Sequence, residues 1–137
     1  MALAWPNHVH HEAAHRWFAG RQRERLGWAT CPVTQSGFVR VSSNARIVAD
    51  ARSPLEAIQL LERIVALPGH EFWSDDVSIV ASEHVARRKL MGHKQVTDAH
   101  LLALALARDG TLATLDGGLA EIAPDASGAK AIQLIPT

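Results

Sequence analysis

The amino-acid sequence predicts an α/β fold with a short parallel sheet. Segments with helical periodicity alternate with short apolar runs of the strand type, and Gly, Pro or Asp bounds most of these runs. The 137 residues are 47% apolar, which is enough for a sizeable core. No repeat, low-complexity tract or long linker divides them, so we expect a single domain over residues 1–137.

The first half of the chain is predicted to contain three helices and two strands. The predicted helices cover residues 8–26, 33–44 and 53–69, and the strands cover 28–32 and 70–73. Asn7 is the expected cap of the first helix, and Gly27 is its expected end. In the third helix, Ser53 caps, Pro54 takes the first helical position and Glu56 completes a capping box. Its expected core-facing stripe is Leu55, Ile58, Leu60 or Leu61, and Ile64 or Val65.

The second half is predicted to end in a helix followed by two strands. A short basic helix is expected over 82–92, and Thr97 is expected to cap a strongly apolar helix that runs to about Arg108. Asp109-Gly110 turns the chain into a buried strand over 111–115, which Asp116 and two glycines break. A final strand is predicted over 131–135.

Composition restricts the class of protein. Fourteen basic and fourteen acidic residues cancel, so no global field indicates nucleic acid or membrane as a partner. Cys31, the only cysteine, excludes an internal disulfide and suits a reducing cytosol. No apolar run approaches the roughly 20 residues that span a bilayer, and the first residues do not form a signal peptide. We expect a soluble cytoplasmic protein with no membrane partner.

The stretch His11-Glu12-Ala13-Ala14-His15 spells H-E-x-x-H, in which zinc proteases place two histidine ligands one helical turn apart and use the glutamate as general base. The third ligand is missing, because Phe18 and Arg21 or Thr34 and Gln35 occupy the positions that would supply it. Short patterns of this kind arise easily in a helix rich in His and Ala. We expect an amphipathic surface helix, and a zinc hydrolase is the unfavoured alternative.

Two aspartates are candidate metal ligands. Asp98 would follow the Thr97 cap, where the helix dipole favours a carboxylate by about 0.3–1 kcal/mol, and Asp116 begins an ordinary Asp-Gly turn. Both therefore have a structural explanation. Asp116 also follows a predicted parallel strand, however, and open α/β sheets bind ligands outside the carboxyl ends of their strands. We expect the two carboxylates to lie close together at one sheet edge.

Four short stretches together carry a family resemblance. They are CPVTQSGFVRV (31–41), EFWSDD (71–76), VTDAHLLALA (96–105) and LATLD (112–116). In this order they resemble the PIN-domain ribonucleases, and above all the VapC-type toxins of bacterial toxin–antitoxin pairs. The resemblance extends from Ala2 onward. It implies a PIN-like three-layer α/β/α fold and an endoribonuclease that depends on Mg²⁺ or Mn²⁺. It also implies a homodimer that a VapB-type antitoxin silences.

The resemblance also implies roles for individual residues. Asp98 matches the central metal-binding aspartate, and Asp116 matches the acid after the penultimate strand. Gln35 stands where many members carry a glutamate, and the resemblance implies that it lies near the two aspartates. Its neutral amide can ligate or orient a water but cannot act as a base. Ser36 and Arg40 are expected to meet the scissile phosphate, with Arg40 as a donor.

The chain departs from the family pattern at its start. Family members open with a hydrophobic strand that ends in the first metal-binding aspartate, in a pattern like L-D-x-N-x-L, whereas this chain begins at the segment that follows. That strand would be central in the sheet, and its loss would leave backbone groups of both neighbours unpaired. Either the true start lies upstream, which we favour, or the protein is an impaired version. These 137 residues alone are expected to cleave RNA weakly or not at all.

Two hypotheses follow from the resemblance. The favoured one is a metal-dependent endoribonuclease toxin of a type II toxin–antitoxin system that cuts structured RNA, either tRNA or rRNA. A local basic rim would meet the RNA phosphates, and its expected members are Arg87, Arg88, Lys89 and Lys94. The alternative is a catalytically impaired PIN-fold module that binds an antitoxin or RNA without cutting it, for which the missing first acid and the neutral Gln35 are the support.

Overall fold

Two pairs of parallel strands, each connected by helical segments, confirm the predicted α/β class. The computed structural model describes residues 1–137 and divides into two compact units, Met1–Asp75 and Asp76–Thr137. Each pair of strands lies within one unit, and no strand is paired with a strand of the other unit. The expectation that the 137 residues form one domain stays a prediction.

The first unit contains three helices and one parallel strand pair. Its elements are α1 (His11–Arg23), β1 (Trp28–Thr30), α2 (Pro32–Ser42), α3 (Pro54–Val65) and β2 (His70–Phe72). In the parallel pair, Trp28 lies opposite His70 and Thr30 lies opposite Phe72. The crossover between the two strands consists of α2 and α3, as parallel pairing requires. This unit contains Gln35, Ser36 and Arg40.

Local signals in α3 are confirmed, and its predicted core face is wrong in the first half of the helix and confirmed in the second. Ser53 Oγ accepts a hydrogen bond from the Glu56 amide at 3.2 Å, and Glu56 Oε2 accepts one from the Ser53 amide at 2.8 Å, which completes the capping box. Leu55 and Ile58 are 65% and 44% exposed. The inward stripe instead runs from the fully buried Ala57 through three half-buried residues at helical spacing, namely Leu60, Leu61 and Ile64.

The predicted ends of α1 are also wrong. The helix begins at His11 rather than after an Asn7 cap, because the preceding residues form turns of their own. One such turn is closed by the His10 amide, which donates to His8 Nδ1 at 3.1 Å. At the other end Arg25, not Gly27, takes the left-handed conformation, with φ at +53°.

The second unit contains α4 (Lys94–Ala107), β3 (Leu112–Thr114), α5 (Ala126–Lys130) and β4 (Ile132–Leu134). A 3₁₀ helix over Gly117–Ile122 precedes α5, and β3 pairs with β4 in parallel, so that both late strands are confirmed. The buried face of α4 forms the centre of the core, where Ala99 and Ala103 pack with Val85 and Ile122.

The helix predicted over 82–92 is wrong. Only a single 3₁₀ turn, Arg87–Lys89, forms there. Tertiary contacts hold this segment in place: Val85 is buried, the Arg87 guanidinium donates to the Val80 carbonyl, and Lys89 Nζ donates to the Ala123 carbonyl at 2.6 Å. These interactions replace the helical hydrogen bonds that the local sequence favours.

The start of α4 differs from the prediction in a way that matters for Asp98. The helix begins at Lys94, three residues before the expected Thr97 cap. Gln95 connects the first turn of the helix with the residues before it, because its Oε1 accepts from the amides of Met91 at 2.7 Å and Gly92 at 3.2 Å. Asp98 therefore lies in the second turn, beyond the position where helix capping would account for it. None of the helices is both long and apolar enough to cross a membrane.

Gly69 is required by the turn that leads into β2. Its φ is +83°, its carbonyl accepts from the Trp28 amide at 3.0 Å, and a Cβ at this position would lie 3.3 Å from the Leu26 carbonyl oxygen. We expect Gly69→Ala to lower the free energy of unfolding by at least about 1–2 kcal/mol, the usual cost of the left-handed region for an L-residue. Urea denaturation measures this change.

Gly27→Ala is the matched control for that experiment. A Cβ at Gly27 would meet only the Gly69 carbonyl oxygen, at 3.7 Å, which is an ordinary contact. An equal loss of stability in both variants would show that the conformation of Gly69 is not the cause.

Candidate functional site

Asp98 and Asp116 form a pair of interacting carboxylates in the second unit. Asp98 is half-buried on α4, and Asp116 is exposed two residues beyond the end of β3. Burial raises the pKa of the Asp98 carboxyl, and the negative charge of Asp116 raises it further. A desolvated charge beside a like charge is unfavourable, so a bound cation would stabilise this arrangement.

Hydrogen bonds to the loop after β3 fix Asp116. Its Oδ1 accepts from the Gly118 amide at 2.8 Å, which caps the 3₁₀ helix, and its own amide donates to Thr114 Oγ1 at 3.0 Å. The turn role expected for an Asp-Gly sequence is therefore present. This hydrogen bond uses Oδ1 of the carboxylate.

The donor set suits a hydrated divalent cation better than zinc. No group of three or more His, Cys, Asp or Glu side chains in the protein is arranged to hold a metal ion. Structural and catalytic zinc sites use three or four protein ligands, whereas Mg²⁺ keeps several waters and binds through one or two carboxylates. Asp98 and Asp116 fit the second description.

The histidines of the H-E-x-x-H stretch contact the chain's own backbone. His11 Nδ1 is hydrogen-bonded to the Ala2 carbonyl at 2.7 Å, and His15 Nε2 to the Leu3 carbonyl at 2.9 Å. Glu12 is exposed and lies 3.9 Å from Arg16 in an i,i+4 ion pair. These contacts give each side chain a structural role. That the two histidines bind no metal stays a prediction.

Gln35 lies in the first turn of α2 and is held by a polar side chain of the neighbouring strand. Its Nε2 donates to Thr30 Oγ1 at 3.0 Å, and Thr30 Oγ1 is also hydrogen-bonded to His70 Nε2 at 2.8 Å. Ser36 and Arg40 are exposed one helical turn apart on the same helix. The Arg40 guanidinium has no ion-pair partner, so it is available to an anion.

Two members of the expected basic rim have a structural role as well. The side chains of Arg87 and Lys89 each donate to a backbone carbonyl. That the four basic residues meet RNA phosphates stays a prediction. The sequence did not predict that Thr30 contacts Gln35 or that His70 contacts Thr30. The register between β1 and β2 brings Thr30 and His70 together, so a prediction would have required the parallel pairing of residues 28–30 with residues 70–72.

Comparison with known proteins agrees with this architecture. The PIN domain model matches residues 2–124, and the chain therefore belongs to the PIN-domain family, as a VapC-type member. Three relatives come from Mycobacterium tuberculosis. Ribonuclease VapC39 is 46% identical over 123 residues, which cover 90% of this chain and 87% of the relative. Ribonuclease VapC44 is 49% identical over 120 residues, or 88% and 82%. Ribonuclease VapC29 is 41% identical over 138 residues, or 100% and 91%.

Asp98→Asn is expected to stabilise the cation-free protein at neutral pH. The pKa of Asp98 is higher in the folded than in the unfolded state, so its stabilising contribution is complete below the unfolded pKa and is lost as pH rises through the folded pKa. Thermal denaturation between pH 4 and 8, with those limits chosen to span roughly the ordinary carboxyl pKa and neutrality, should show the gain shrinking as pH falls. Asp76→Asn, at an exposed position, is the control. A gain that does not depend on pH would contradict the prediction.

Gly118→Ala is expected to weaken binding of Mn²⁺. A Cβ at Gly118 would lie 3.3 Å from Asp116 Oδ1 and would displace that carboxylate by a few tenths of an ångström, whereas a Cβ at Gly117 would meet nothing within 4 Å. The increase in melting temperature with added Mn²⁺ should therefore be smaller in Gly118→Ala than in wild type and unchanged in Gly117→Ala. An equal increase in melting temperature in all three proteins would show that the position of the Asp116 carboxylate does not affect cation binding.

Proposed function

We propose that the protein is a metal-dependent endoribonuclease toxin of a type II toxin–antitoxin system. The observation that carries the proposal is the half-buried Asp98, whose pKa is raised by burial and by Asp116, on a PIN-domain chain. Relatives that are 41–49% identical are named ribonuclease VapC, which supports the same class of reaction here.

The chemistry follows from what the side chains can do. A divalent cation, Mg²⁺ or Mn²⁺, would make a water nucleophilic and neutralise charge on the phosphodiester. Asp98 and Asp116 would hold it. Arg40 would donate hydrogen bonds to a phosphate oxygen, and the Ser36 hydroxyl can do the same. Gln35 joins this set through the family resemblance. Its amide can orient a water, but it adds no charge and accepts no proton.

The proposed partners follow from the same class of protein. The substrate is a structured RNA, either tRNA or rRNA, whose phosphates Arg88 and Lys94 would also meet. A VapB-type antitoxin and a second copy of the chain are the proposed protein partners. Leu55 and Ile58 of α3 are large apolar side chains left in solvent, of the kind that a protein partner covers. A toxin that acts on cellular RNA beside its antitoxin would work in the cytoplasm.

A binding module without catalysis is the second candidate. Asp98 and Asp116 are two carboxylates, whereas the family resemblance implies three or four acids, and a neutral Gln35 would add no charge. The smaller negative charge reduces the attraction for a cation. In that case the protein would bind RNA or an antitoxin, and Asp98 would contribute nothing to turnover.

Cleavage of a mixture of tRNA and rRNA tests the proposal. We expect slow cleavage that requires Mg²⁺ or Mn²⁺. Asp98→Asn should reduce it more than about 100-fold, since even the loss of an outer-shell partner costs 10–100-fold. The double variant His11→Ala/His15→Ala should cleave as wild type does.

The outcomes separate the candidates. Binding of RNA without cleavage under any metal condition would favour the binding module. Stoichiometric zinc together with loss of cleavage in the double histidine variant would favour a zinc hydrolase. Relief of growth arrest by a co-expressed antitoxin would support the assignment to a toxin–antitoxin pair.

A further inference from the structure

A chain of hydrogen bonds connects α2 with β2 through a single hydroxyl group. Gln35 Nε2 donates to Thr30 Oγ1 at 3.0 Å, and the same oxygen lies 2.8 Å from His70 Nε2. All three side chains are partly buried. Thr30 therefore connects Gln35 with His70.

The strand register holds the imidazole in place. His70 lies opposite Trp28 in the parallel pair, and their ring centroids are 4.7 Å apart. Trp28 is itself fixed, because Phe18 packs edge-on against it at 5.1 Å and its Nε1 donates to the Pro68 carbonyl at 3.0 Å. Trp28 and Thr30 project from the same face of β1, since side chains two apart in a strand share a face. The His70 ring therefore reaches Thr30 from a constrained position.

The direction of the hydrogen bonds follows from counting protons. A hydroxyl has one proton and two acceptor lone pairs. Thr30 Oγ1 accepts from the Gln35 amide, and its own proton can be donated to His70 Nε2 when that nitrogen is the unprotonated one. The proposal below assigns this tautomer to the wild type. Burial lowers the pKa of His70, while the charge of Glu71 has a smaller opposing effect, so the neutral ring is favoured near pH 7.

We propose that Thr30 and His70 are positioning residues that orient the side-chain amide of Gln35 for RNA cleavage. The bond from Nε2 to Thr30 fixes which end of the amide faces the strand and leaves Oε1 as the acceptor available to a water or to the ribose of the RNA. This inference rests on the proposed function. It assigns a role to two polar residues, Thr30 and His70, that lie behind Gln35, which the family resemblance places among the catalytic residues.

A glutamate at position 35 must reverse the direction of the chain. A carboxylate only accepts hydrogen bonds, so the Thr30 hydroxyl would have to donate to it. The hydroxyl oxygen would then accept from His70, which requires a proton on Nε2. The proposal therefore predicts that Gln35→Glu changes the tautomer of a histidine that it does not touch.

Nitrogen-15 NMR of the imidazole rings tests this coupling without reference to catalysis. At a pH of about 8, above the ordinary histidine pKa of about 6.5, His70 Nε2 in the wild type should show the chemical shift of an unprotonated ring nitrogen. In Gln35→Glu it should show that of a protonated one. Gln35→Glu should cause the same change of tautomer when it is combined with Thr30→Ser, because serine keeps the hydroxyl. It should cause no change when it is combined with Thr30→Val.

Kinetics of RNA cleavage then test the positioning role. Thr30→Val and Gln35→Ala should each lower kcat by about 10-fold or more, in the range for loss of an outer-shell partner, with little change in KM. The double variant should be no slower than either single variant, because both remove the same oriented amide. Thr30→Ser should restore most of kcat, and His70→Phe, which keeps a ring against Trp28, should give a partial loss.

Each outcome has a distinct meaning. If the His70 tautomer does not respond to Gln35→Glu, the hydrogen-bond chain is wrong even if the protein cleaves RNA. If the tautomer switches but Thr30→Val cleaves as fast as wild type, the positioning role is wrong and the proposed function stands. If neither the wild type nor Gln35→Glu cleaves RNA in Mg²⁺ or Mn²⁺, the proposed function fails and the positioning role fails with it. The NMR result then decides only whether the hydrogen-bond chain exists.

Discussion

Parallel strands leave their sheet at the same end, and hydrogen bonding across the pair fixes which residues of the two strands are neighbours. Each pair in this protein has strands of only three residues. Because side chains alternate between the two faces of a strand, a shift of one register position would turn every side chain to the other face. The contact between Thr30 and His70 depends directly on this register. In the second unit, Asp116 follows β3 by two residues, and its position depends on the same kind of pairing.

The start of α4 changes the interpretation of Asp98. A carboxylate in the first turn of a helix is explained by the helix dipole, and at that position the residue would need no further role. Because α4 begins at Lys94, Asp98 lies in the second turn, half-buried and within the influence of Asp116. The favourable interaction with the helix end is then largely lost, since it falls off after the first turn, while the cost of desolvation stays. A residue retained under such a cost is a candidate for ligand binding.

The sequence predicts those features that depend on residues close together in the chain, and it fails where distant residues decide the structure. The capping box at Ser53 and Glu56 is complete within four residues, so its sequence predicts its structure. The helix predicted around Val85 does not form, because the burial of Val85 and the hydrogen bonds of Arg87 and Lys89 to carbonyls outside the segment decide its path. Asp98 and Asp116 were candidates because of their predicted positions on a helix and after a strand, whereas Gln35 became one only through the family resemblance.

The substitution of an amide for a carboxylate at position 35 changes more than the charge. A glutamate would accept hydrogen bonds at both oxygens and would leave its whole orientation to donors around it. Gln35 has one end that donates and one that accepts, so a single hydroxyl on β1 is enough to distinguish the two ends. The neutral side chain therefore loses electrostatic attraction for a cation but gains a defined direction. For a proposed site with only two carboxylates, an acceptor already held in one orientation requires less ordering when water or substrate binds.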